Sequence, residues 1–157
     1  MNTLIVYDSV FGNTAQVAKS IAAALEPAGT VRLVPAQEAR DLSLNDIDLL
    51  IVGSPTRGFR PTPAIDEILA DLSPPDGRMV RAAAFDTRLD ANEIHPAPLR
   101  WVVNAGGYAA QRIAHDLKQD GFAVAESQGD FAVQGTEGPL KPGELERAAA
   151  WARNLAA

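Results

Sequence analysis

Two short segments carry residues of the type and spacing that chemistry needs. In Asp8-Ser9-Val10-Phe11-Gly12-Asn13-Thr14 an apolar run ends in small and hydroxylic residues that lead into helical spacing. Gly12 lets the backbone approach a guest closely. Ser9, Asn13 and Thr14 offer side-chain donors beside the unpaired amides and the positive dipole end of a helix. That is a site for one phosphate. The segment has neither the Lys of a Walker A loop nor the glycine spacing of a dinucleotide fold, so a nucleoside triphosphate or NAD is not its natural guest. The same residues would also serve a plain helix start, with Asn13 capping and Ser9 turning the chain.

The second segment, Gly53-Ser54-Pro55-Thr56-Arg57-Gly58-Phe59, is a rigid loop followed by a conformationally free glycine. Its backbone groups can hydrogen-bond the edge of a planar heterocycle, and Phe59 is available to cover a face. Alternatively Pro55 and Gly58 only shape a turn and Phe59 is core. From Asp86 to Arg100 no usable periodicity exists, and structureless loops that long inside a compact domain are usually functional. Other constellations are thin. His95 and His115 stand alone without a second metal ligand at the right spacing. Ser54 lacks the glycine pattern of a nucleophile elbow. The pair Glu144 and Glu146 suits the start of a last helix. No catalytic residue and no metal ligand is assigned.

The elements that position these loops read as alternating strands and helices around a buried parallel sheet. Thr3 to Tyr7, Val31 to Val34, Leu49 to Val52 (closed by Gly53) and Met79 to Phe85 are predicted strands. A last strand comprises Phe122 to Ala125 and Phe131 to Val133, interrupted near Gly129. Predicted helices follow Asn13 with Val17, Ala18, Ile21, Ala22 and Leu25 on one face, and Thr62-Pro63 with Ile65, Ile68, Leu69 and Leu72. Two more carry Ala110, Ile113, Ala114 and Leu117, and, after Pro142, Leu145, Ala149, Ala152 and Leu155. Repeats, low-complexity segments and linkers are absent, so one domain is expected over residues 1–157.

Composition removes whole classes of function. The chain has no cysteine, which excludes disulfides, thiolate metal sites and cysteine nucleophiles together. A formal net charge of -6 argues against a general nucleic-acid binder. No stretch approaches the roughly 20 apolar residues that span a bilayer, and no signal-peptide pattern opens the chain. A cytoplasmic protein without membrane insertion is the expectation.

Taken together, the two loops resemble those of the flavodoxin family, and the order of strands and helices extends the resemblance over essentially the whole chain. Ser9-x-Phe11-Gly12-Asn13-Thr14 is similar to that family's hydroxyl-rich FMN phosphate loop, in which Val10 contributes backbone. Gly53-Ser54-Pro55-Thr56-Arg57-Gly58 looks like its second flavin loop. The resemblance implies an α/β fold, a flavodoxin-like three-layer sandwich with a five-stranded parallel sheet in the order 2-1-3-4-5, binding FMN non-covalently at its edge. The short gap from Glu126 to Asp130 places it with the short-chain branch. Asp86, Thr87 and Arg88, at the end of strand four, stand where the family binds the ring edge. Two departures are visible. Phe11 replaces a phosphate-binding Thr or Ser, and Asp86 to Arg100 contains no Phe, Tyr or Trp to stack on the ring, leaving His95 or a returning Trp101.

The resemblance implies a one-electron carrier between a reductase and an acceptor protein. An uncovered flavin face would instead suit a reductase or oxidase acting on a quinone or other small molecule, and a domain that has lost FMN is a third class. Arg57, Arg60 and Arg88 all fall in the candidate loops, so a cation beside the flavin is expected to favour its anionic reduced form.

Overall fold

The computed structural model describes residues 1–90 and 107–157. A parallel sheet is built from β1 (Asn2–Tyr7), β2 (Thr30–Pro35), β3 (Leu49–Pro55), β4 (Arg81–Leu89), β5 (Ala123–Val124) and β6 (Gly129–Val133). Its order is β2-β1-β3-β4-β5, and β6 also pairs with β4. β5 and β6 therefore occupy one position as an interrupted fifth strand. Arg81 pairs with Ala123, an offset of 42, whereas Phe85 pairs with Gly129, an offset of 44, so two extra residues leave the ladder between them.

The helices are α1 (Asn13–Leu25), α2 (Pro63–Asp71), α3 (Ala109–Gln119) and α4 (Glu144–Ala156). Side chains alternate across a strand, so β1 sends Leu4 and Val6 to one face and Ile5 to the other. Leu4 and Val6 join Ile65 and Leu69 of α2 and Ile113 and Leu117 of α3. Ile5 joins Val17 and Ile21 of α1 and Ala148, Ala152 and Leu155 of α4. Because helices cover both faces, the central strands must be apolar throughout, and Leu49 through Val52 are all buried.

Several predicted boundaries move, each for a packing reason. Gly53 does not close β3, which continues to Pro55. A Cβ there would lie 2.0 Å from the Phe85 ring, so the glycine makes room for the largest side chain of the neighbouring strand. The fourth strand begins at Arg81 rather than Met79, which is 79% exposed, and runs through Asp86, Thr87 and Arg88 to Leu89. Those three residues are thus held on the sheet. In α4 Leu145 is exposed and Ala149 only half-buried, while Glu144 and Ala148 are buried in their place. Thr62 takes the N-cap position of α2 without making a cap hydrogen bond.

Candidate functional site

The carboxyl ends of parallel strands are where an open α/β sheet binds ligands. There, the turns after β1, β3 and β6 and the last residues of β4 surround one cavity of about 120 Å³. Its lining includes Phe11, Asn13, Thr14, Thr56, Arg57, Thr87, Arg88 and Thr136. The charged groups among these described residues are Arg57 and Arg88, so the cavity is locally cationic in a chain of net charge -6.

The first turn is wound around its own serine. Ser9 Oγ accepts the amides of Gly12 at 3.1 Å and Ala15 at 3.2 Å. Gly12, at φ 94, is the N-cap of α1, a left-handed conformation that favours glycine, and a Cβ built there meets nothing within 4 Å. Asn13 does not cap the helix. Its Nδ2 donates to Glu137 O at 3.1 Å and so ties the turn after β6 to α1. The amides of Val10, Phe11, Asn13 and Thr14 find no acceptor among the described residues. Unpaired donors at a helix start, on the positive end of its dipole, fit an anionic oxygen-rich group. Thr14, buried, shares a hydrogen bond of 2.8 Å with Thr87, which fastens this turn to β4.

The second turn divides by role. Ser54 is fully buried, donates to Pro55 O at 2.9 Å and accepts from Thr62 N at 3.0 Å, so its hydroxyl shapes the chain between β3 and α2. Thr56 Oγ1 accepts the Ala109 amide at 3.0 Å, at the first residue of α3. Arg57 and Arg60 exchange both backbone hydrogen bonds, at 2.8 and 3.1 Å, around Gly58 at φ 56 and Phe59 at φ 69. Two positive φ values in succession mark a type I′ hairpin turn. Phe59 O accepts from Arg112 Nε at 3.0 Å. The Arg57 guanidinium lies 5.8 Å from the centroid of the half-exposed Phe11 ring, bridging the first and second turns across the mouth.

The third group is built on β4. Asp86 is fully buried; both its oxygens accept from Arg88, Nε and Nη2 each at 2.8 Å, and the Ala110 amide adds a third bond at 2.9 Å. Burial pushes its carboxyl above the ordinary range, against the pull of Arg88 and the Ala110 amide. The Arg88 guanidinium in turn lies 3.6 Å from the centroid of the Tyr108 ring. Among the three loop arginines, Arg88 is thus paired with Asp86. Arg60 lines a separate cavity with Asp66 and His115.

Of the residues singled out from the sequence, Val10, Phe11, Asn13, Thr14, Pro55, Thr56, Arg57, Thr87 and Arg88 line this cavity. Ser54 and Asp86 are fully buried, Arg60 and His115 line a separate cavity, and His95 and Trp101 fall outside the described residues. Tyr108 and Thr136 were not anticipated. Tyr108 directly precedes the helical spacing of α3, a position for a cap. Thr136 follows the fifth strand, where the crevice rule already directs attention.

Residues 4–71 match the flavodoxin domain family. No curated protein matches the chain by sequence. Among solved structures it is similar to rubredoxin oxygen:oxidoreductase from Desulfovibrio gigas, with 20% identity and a TM-score of 0.74 over 99% of this chain and 35% of that one. A flavodoxin, WrbA-like protein from Agrobacterium tumefaciens shares 20% identity at a TM-score of 0.70, covering 99% and 94% of the two chains. Flavodoxin from Megasphaera elsdenii shares 22% identity at a TM-score of 0.63, covering 97% and 98%. The chain thus spans about a third of the Desulfovibrio protein and nearly all of the other two. Sheet order and flanking helices are those of the flavodoxin-like fold, within which residues 4–71 carry the family match.

Proposed function

We propose that this flavodoxin-like chain binds FMN at the crevice and carries single electrons between a reductase and an acceptor protein. One observation carries the reading. The turns after β1 and β3 and the end of β4 meet at a cavity with unpaired amides at the start of α1, two arginines and no carboxylate among its described lining residues. An anionic head is worth about 0.3–1 kcal/mol at such a helix start from the dipole alone, with the amide hydrogen bonds in addition. Phe11 removes one hydroxyl from the phosphate turn but leaves its amides. The amides of Val10, Phe11, Asn13 and Thr14 would hold the phosphate, with Gly12 giving close access. Thr56, Arg57, Gly58, Thr87 and Arg88 would border the ring. The cavity is smaller than the roughly 300 Å³ from which whole-ligand pockets start, so it would enclose only part of the cofactor. Bound there, FMN supplies one- and two-electron chemistry; the chain's residues position it and set its charge environment.

A second reading, turnover of a quinone or other small molecule at an open flavin face, draws support from Tyr108, whose ring is already engaged by Arg88. One titration separates the readings. FMN is expected to bind at least tenfold tighter than riboflavin, since only FMN reaches the α1 amides, and equal affinities would remove the phosphate assignment. Stepwise anaerobic reduction in two one-electron stages supports the carrier. A single two-electron stage, with turnover of NAD(P)H or a quinone, supports the enzyme. No helix among the described residues is long and apolar enough to cross a membrane.

A further inference from the structure

The three loop arginines are alike in sequence and unlike in place. Arg57 is exposed, so its charge is screened by salt. Arg60 borders a different cavity, with Asp66, His115 and Asp116. Arg88 lines the site cavity with its side chain only 20% exposed, gripped on one edge by Asp86 and stacked on Tyr108. Two of its nitrogens are spent on Asp86, while Nη1 has no partner among the described residues. Asp86 is fully buried and does not line the cavity, so the pair forms a dipole whose positive end faces the cavity.

We infer that Arg88, fixed by Asp86 and Tyr108, is the residue by which this site prefers the reduced, more anionic cofactor over the oxidised one. Asp86 and Tyr108 are positioning residues. Reduction of bound FMN by dithionite or a reductase moves two electrons and one proton onto the ring, leaving it one unit more negative. A fixed cation at the cavity wall stabilises that extra charge without having to reorganise. This inference rests on the FMN reading.

The test is the two-electron midpoint potential of FMN-loaded protein, measured by dye equilibration alongside FMN affinity. Arg88→Gln is expected to lose about tenfold in preference for reduced over oxidised FMN, a fall of ~30 mV for a two-electron couple. Arg88→Lys keeps the charge and restores most of the potential. Arg60→Gln, with the same loss of net charge, leaves it in place. Should Arg88→Gln fail to fold because Asp86 is left as an unpaired buried charge, the double variant Asp86→Asn/Arg88→Gln removes both charges together and is expected to shift the potential the same way. FMN binding with a shift no larger than that of Arg60→Gln overturns the inference and leaves the FMN reading intact. Failure of the unmodified protein to bind FMN overturns both.

Discussion

Thr14 and Thr87, both buried, spend one hydroxyl each on a single hydrogen bond that joins the turn after β1 to β4. Replacing one by Val leaves the other hydroxyl buried without its partner, at a cost of about 1–3 kcal/mol. Replacing both removes the orphan, so Thr14→Val/Thr87→Val is expected to be more stable than the sum of the single changes implies. A thermodynamic cycle from urea denaturation measures the coupling; strict additivity would show that the hydroxyls do not depend on one another. Phe59 presents the opposite case. Its φ of 69 is a left-handed conformation that a bulky side chain disfavours by about 1–2 kcal/mol, whereas Asn adopts it readily. Phe59→Asn is therefore expected to raise the melting temperature by a few degrees, a degree of gain that a loss of packing around the ring would reverse.

Between elements, the decisive tie is Glu144. It is buried at the start of α4, and its Oε2 accepts the Ala132 amide of β6 at 2.6 Å while Arg147 donates to both its oxygens. The helix that covers one face of the sheet is thereby fastened to the strand beside the cavity. Glu144→Ala frees the Ala132 amide and the helix start, and is expected to cost about 1–3 kcal/mol; Glu144→Gln keeps an acceptor and costs less. Chemical denaturation should rank the parent above Gln and Gln above Ala, and equal midpoints for the three would remove Glu144 from this role. The residue also shows where sequence patterning stops. Counting apolar positions puts Leu145 on the buried stripe of α4, yet the true stripe is Glu144, Ala148, Ala152 and Leu155, because a carboxylate that meets a strand amide can be buried where hydropathy alone would expose it. Likewise, Gly53 resembles a strand stop until Phe85 is seen occupying the space of its missing side chain. Strand four was misplaced toward Met79 because Ala82, Ala83 and Ala84 carry little apolar signal, and because Asp86 and Thr87 look like loop residues when their partners Arg88, Ala110 and Thr14 are unknown.

For the molecule as a whole, topology was legible because a sheet covered on both faces demands unbroken apolar strands, and Leu49 to Val52 supply one. The same burial sets the pH response, through acidic groups shifted in opposite directions. Asp48, hydrogen-bonded by the Asn2 amide and paired with Arg78, is held below its ordinary 3.8, so its contribution is present above that value and is lost as pH falls through the folded pKa. Asp86 is pushed up by burial, and Asp66 is raised by its desolvation, with Asp116 adding to the rise. A raised carboxyl binds its proton more tightly in the folded chain than in the unfolded one. Its contribution is complete below 3.8 and is lost as pH rises through the folded pKa. Asp48 and the raised pair thus act in adjoining windows. The Asp86 share is separable, since Asp86→Asn/Arg88→Gln removes that titration while leaving Asp48 and Asp66 in place. As pH rises above 3.8, the parent is expected to lose stability relative to this double variant, read as converging or crossing urea midpoints. Parallel profiles would mean that Arg88 and the Ala110 amide offset the burial of Asp86 completely, so that the carboxylate beneath the cavity folds as charged as it unfolds.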